Sequence, residues 1–143
     1  GNESVLPAAP AWHAFGAGKV LGYRADKDVV AWRWKRQPSP YPKFVQSAPG
    51  DRALRRPFFR GFGYSMGLGG AIVQHRDIAA LVGEDERAWL VEGIGLARGP
   101  RGVGQLERVI EGVFGADALP ALQRGRDAFV RGQDTCDVFG ESP

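Results

Sequence analysis

The sequence predicts a mainly α-helical fold: a short, solenoid-like array of helix–turn–helix repeats of 32 residues, preceded by an N-terminal extended arm or β-hairpin. Three observations lead there. The chain matches itself at a constant shift, helix-ending glycines recur at matching places, and the first third, rich in Trp, Pro and basic residues, stays outside the match.

Slid by 32 residues, Phe58-Phe-Arg-Gly-Phe-Gly-Tyr-Ser-Met-Gly67 lies over Leu90-Val-Glu-Gly-Ile-Gly-Leu-Ala-Arg-Gly99. Seven of 26 aligned positions from 58 to 83 are identical, where this composition gives roughly two by chance. A partial third copy places Leu122 and Gly125 in register and Asp117 under Asp85. A period of this size marks supersecondary units that bury their apolar faces against their neighbours.

Each unit reads as two helices. The first unit spans about 56–67 and 74–82, with Pro57 suited to a first turn. The second spans about 85–98 and 105–114, its acidic start favoured by the helix dipole. Gly83 and Gly115 stand where helices end in a left-handed residue. Gly99-Pro-Arg-Gly102 is a loop, and a helix over about 118–131 opens the third copy. The division is thus an arm at 1–55, a repeat region at 56–131 and a polar tail at 132–143.

Mid-helix glycines cost roughly 0.5–1 kcal/mol each relative to Ala, so their recurrence needs a reason. Gly61 and Ser65, four apart, form a small stripe, and Gly93 and Ala97 repeat it. Small residues at this spacing are expected to let a second backbone approach closely, with Phe58, Phe62, Leu90 and Ile94 filling the flanks.

In the arm, Val30, Trp32 and Trp34 alternate with Ala31, Arg33 and Lys35, which is strand periodicity and predicts a hairpin over 19–36. Pro38-Ser-Pro-Tyr-Pro42 predicts extended chain continuing to about Asp51. Residues 1–60 carry net +7 and residues 61–143 net −4, with every lysine in the first part. That asymmetry points to self-association or an anionic partner for the head. Arg33, Lys35, Arg36, Tyr41 and Lys43 are the candidate contacts. On the strand reading the tryptophans turn inward over the helices and the cations outward.

Several chemistries fit poorly. Gly63-Tyr-Ser-Met-Gly67 spells the G-x-S-x-G elbow of serine hydrolases, with His75 and Asp77 nearby. The elbow requires a strand before the serine inside a larger parallel sheet, and Ser65 aligns with Ala97. Gly61-x-Gly63 lacks the third glycine spacing and the βαβ context of a dinucleotide site. His13, His75 and Cys136 show no metal-ligand spacing, and Glu84-Asp-Glu86 is more simply a helix start. No catalytic residue, cofactor or metal is expected. A single cysteine excludes an internal disulfide framework, and charged residues interrupt every apolar run short of a membrane span. The chain opens Gly1-Asn2-Glu3 without Met, which reads as a processed form or an excised piece of a longer chain with a segment upstream, and no compartment follows from it.

With the repeat laid out, Arg60-Gly-Phe-Gly63, Glu92-Gly-Ile-Gly-Leu-Ala97 and Gln123-Arg-Gly125 with Ala128-Phe129 resemble an uncharacterised bacterial family found beside enediyne-type biosynthesis genes. Its members repeat an acid-or-Gln, Gly, apolar, Gly motif about 34 residues apart. The likeness spans residues 56–131, with Arg87–Ala97 the nearest stretch, in a family about twice as long as this chain. It implies a helical fold and assigns no catalytic residue. Three functions follow as expectations. The first is a non-enzymatic binding or scaffold module with a protein partner or a second copy of itself. The second, implied by the resemblance, is an accessory protein of natural-product biosynthesis holding a hydrophobic small molecule. The third is a polyanion or nucleic-acid binder acting through the basic head.

Overall fold

In the computed structural model the chain is mainly helical. The structure describes residues 8–35, 39, 41–69 and 76–131, and only the backbone of residues 8, 9, 26, 28–35 and 103. Seven α-helices occur among them: α1 Ala8–Lys35, α2 Tyr41–Gln46, α3 Arg52–Gly69, α4 Arg76–Leu81, α5 Glu84–Arg98, α6 Val103–Phe114 and α7 Leu119–Val130. A 3-10 turn, Ala116–Ala118, leads into α7, and the described residues contain no strand.

Residues 19–35, expected in a hairpin, are instead the larger part of α1, a 28-residue helix. Three alternating positions cannot by themselves separate strand from helix. Along α1 the helical face Ala11, Ala14, Phe15, Gly18, Gly22, Ala25 is buried, and Pro10 sits in the first turn where its missing N–H is harmless. The arm after α1 is likewise partly helical, since Tyr41–Gln46 forms α2. There the backbone N–H of Tyr41 donates to Ser39 Oγ at 3.3 Å.

α3 starts earlier than Pro57 implies, because Asp51 caps it. The Asp51 carboxylate accepts from the Ala53 N–H at 3.0 Å, and its carbonyl accepts from Leu54 and Arg55. Pro57 then lies inside the helix and is buried. α5 begins on Glu84, Asp85 and Glu86 and ends at Gly99, whose φ of 58° suits glycine. Gly115, at φ 95°, ends α6.

Helices α1, α3, α5 and α7 form one row, the long row, each against the next. Helices α2, α4 and α6 form a second, the short row, α2 against α4 and α4 against α6. The main core lies between the rows. Phe58, Phe59, Phe62 and Met66 of α3 meet Leu90, Val91 and Ile94 of α5, Leu122 of α7, and Tyr41, Ile78 and Ile110 of the short row. A smaller cluster on the far side of the long row joins Ala11, Phe15, Leu96 and Ala128 to Tyr64.

Candidate functional site

Neighbouring long helices run parallel and touch through paired glycines. A Cβ on Gly18 would overlap the Phe58 carbonyl, and one on Gly61 the Phe15 carbonyl. The pattern recurs with Gly63 against Leu90 O and Gly93 against Arg60 O, then with Gly95 against Leu122 O and Gly125 against Glu92 O. In every pair each glycine lies on the carbonyl three residues before the other. The rule is therefore two-fold symmetric. Gly61 and Gly63 are two residues apart, about 200° around a helix, so one faces α1 and the other α5. Gly93 and Gly95 divide the same way between α3 and α7. Such contacts bring Cα–H groups onto carbonyl oxygens, a weak attraction added to close packing.

Flanking residues continue each contact. Ser65 Oγ donates to the Lys19 carbonyl at 2.7 Å, and a Cβ on Gly67 would come within 2.9 Å of Ala97 Cβ. Ser65 is therefore in mid-helix facing α1, away from any strand-to-helix elbow. His75 and Cys136 fall outside the described residues.

The two ends of the long row differ. α1 carries Gly16 two residues before Gly18, the arrangement of Gly61 and Gly63, yet among the described residues nothing lies within 4 Å of a Cβ on Gly16. Around it Trp12, Val20 and Tyr23 are 47%, 51% and 58% exposed. At the other end, the place of Gly63 and Gly95 on α7 is taken by Asp127, which accepts a hydrogen bond from Gln123 at 2.9 Å. Beside the exposed face of α1 runs a groove of about 670 Å³, bounded by Lys19, Arg24 and Lys27 with Val20, Tyr23 and Leu68. Lys19 Nζ stands over the Phe15 and Tyr64 rings, at 5.8 and 5.0 Å from their centroids.

Charged residues knit α3, α5 and α7 together. Arg52 pairs with Asp85 at 2.6 Å and Arg55 with Glu86 at 2.9 Å. Arg98 Nε donates to the Gly67 carbonyl at 2.6 Å. Arg60, Glu92 and Arg124 stand 32 residues apart, each just before a contact glycine, so parallel packing brings them to one level. Arg60 binds Glu92 Oε2; Arg124 Nε donates to Oε1 at 2.8 Å, and Arg56 Nη2 lies 3.5 Å from the same oxygen. Burial pulls the Arg60 guanidinium below its ordinary range, against the stabilising charge of Glu92.

The residues expected to make contacts are scattered. Arg33 and Lys35 belong to the last turns of α1, where only the backbone is described, as it is for Trp32 and Trp34, and Arg36 lies outside the described residues. Tyr41 is fully buried: the start of α2 turns it into the core, which corrects its reading as a contact. Lys43 is exposed on α2. Sequence reasoning passed over Gly16, and also Arg56, Glu92 and Arg124 as a group; the 32-residue register that puts Arg, Glu and Arg in one column was the available signal.

No helix among the described residues is long and apolar enough to cross a membrane, and no three described His, Cys, Asp or Glu residues come together as a metal site. Comparison with protein-family models, curated proteins and solved structures finds no match.

Proposed function

We propose that the chain is a non-enzymatic binding module, a short array of helix–turn–helix repeats whose docking face is the outer side of α1. The observation that carries this reading is Gly16: it repeats the glycine spacing of the internal contacts and meets no neighbour among the described residues. Three large, half-exposed apolar side chains surround it.

The partner we favour is a second copy of the chain. Because the glycine contact is two-fold symmetric, α1 is complementary to itself: Gly16 of each copy would lie on the His13 carbonyl of the other. Head-to-tail growth in this register is blocked at the far end by Asp127, whose side chain would strike the facing backbone. A closed, isologous dimer is therefore expected, not a filament. Sedimentation equilibrium and native mass spectrometry test this. A dimer in the micromolar range supports the reading, and a monomer at every concentration removes self-association from it.

A second reading has its own observation, the three cations bordering the α1 groove. A polyanion held there would bind with an affinity falling steeply as salt rises. Salt would strengthen the dimer instead, by screening Lys27 from its symmetry mate. Titration with a single-stranded oligonucleotide at two salt concentrations separates the two.

A further inference from the structure

The Glu92 cluster has more cations than its one carboxylate can serve. Glu92 is 2% exposed in its side chain, and both of its oxygens are engaged, Oε2 by Arg60 and Oε1 jointly by Arg124 and Arg56. Arg124 holds Oε1 at 2.8 Å, which leaves Arg56 only a long contact of 3.5 Å. Arg56 Nε is moreover buried without a hydrogen-bond partner. Among the described residues no second carboxylate lies within ion-pair distance of Arg56 or Arg124. The neighbouring Arg126 is directed elsewhere, to Glu107 at 3.1 Å.

The side chains of Arg56 and Arg124 are 39% and 54% exposed, so these two guanidinium groups form the solvent-facing rim of the cluster. They converge on one oxygen atom from α3 and α7, close enough for a single oxyanion to bridge them. Guanidinium forks match the paired oxygens of phosphate in geometry as well as charge. A bound anion would take the solvent-facing N–H groups of these two guanidinium forks and offset the repulsion among three like charges.

We infer that Arg56 and Arg124, backed by the Arg60–Glu92 pair, form a binding site for a phosphate-type dianion at the level where α3, α5 and α7 meet. Two rim cations sharing one buried carboxylate match a doubly charged group better than a singly charged one. The site is separate from the α1 face and does not depend on the reading given for it.

The test is titration of the whole chain with inorganic phosphate against chloride at constant ionic strength, followed by calorimetry and by the arginine Nε–H resonances. Saturable binding is expected with Kd of about 1 mM. The resonances that move should be those lost in Arg56→Gln and Arg124→Gln. The double variant should weaken binding at least tenfold, while Arg131→Gln, an exposed cation at the end of α7, should leave it unchanged. Acetate in place of phosphate should bind distinctly more weakly. The site is refuted if phosphate and chloride are indistinguishable for the unmodified chain, or if the double variant binds phosphate as well as the parent. Should the double variant fail to fold, the unmodified chain's titration and the two single variants decide the matter.

Discussion

Gly63 of α3 and Gly93 of α5 face each other across parallel helices, each resting on the carbonyl three residues before the other, Leu90 O and Arg60 O. No side chain fits either position unless the helices separate. Moving them apart would loosen the core that Phe62, Leu90 and Ile94 fill at 0–1% exposure.

Gly93→Leu, and Gly63→Leu equally, should therefore destabilise by more than about 2 kcal/mol, because the cost is overpacking rather than helix propensity. Urea denaturation checks this. A variant as stable as the parent would mean that the helices are not held this close. Gly112, in the last turn of α6 with nothing among the described residues within 4 Å of its Cβ, is the opposite case. Gly112→Ala should stabilise by about 0.5–1 kcal/mol through propensity alone.

Glu92→Ala should be among the most damaging single changes, at about 3–5 kcal/mol, since it takes the paired carboxylate from the buried Arg60 guanidinium. Glu92→Gln keeps an acceptor and should cost less. If both variants melt with the parent, the cluster contributes nothing to the helix contacts and Arg60 must be satisfied without Glu92.

Ser65→Ala removes the hydrogen bond to the Lys19 carbonyl and leaves a residue of the size found at Ala97. The expected loss is about 1 kcal/mol or less. Any hydrolytic activity that tracks this hydroxyl would contradict the binding-module reading, so p-nitrophenyl ester turnover should be measured on both proteins.

What the sequence made legible follows from where its signals are strong. The helices expected over 85–98, 105–114 and 118–131 are Glu84–Arg98, Val103–Phe114 and Leu119–Val130. An acid-rich start marks the first of them, and terminal glycines, Gly99 and Gly115, mark the first two. α1 stayed hidden for two physical reasons. Apart from Phe15, its buried face is built from Ala11, Ala14, Gly18, Gly22 and Ala25, so packing there depends largely on absent side chains and leaves little apolar periodicity to detect. Its glycines also stand out of step, with Gly16 preceding Gly61 by 45 residues where 32 separate Gly61 from Gly93. A constant shift cannot find a matching glycine pair followed by a longer connection. Tyr41 misled because an aromatic between prolines resembles an exposed recognition segment, while the short helix α2 packs against α4.

Gly16 and Gly18 offer the sharpest separation of folding from binding. They lie two residues apart on one helix, on opposite sides. A Cβ on Gly18 would overlap the Phe58 carbonyl, whereas one on Gly16 meets nothing among the described residues. Gly18→Leu should then destabilise by about 2 kcal/mol or more, as at any internal contact. Gly16→Leu should leave the melting temperature of the isolated chain unchanged or slightly raised, because Leu is the better helix former by most of 1 kcal/mol. In a dimer joined at α1 the same leucine would strike the facing His13 carbonyl. Gly16→Leu should therefore convert the dimer to a stable monomer with an unaltered helical circular-dichroism spectrum. A variant that still sediments as a dimer would place the self-contact elsewhere than on α1.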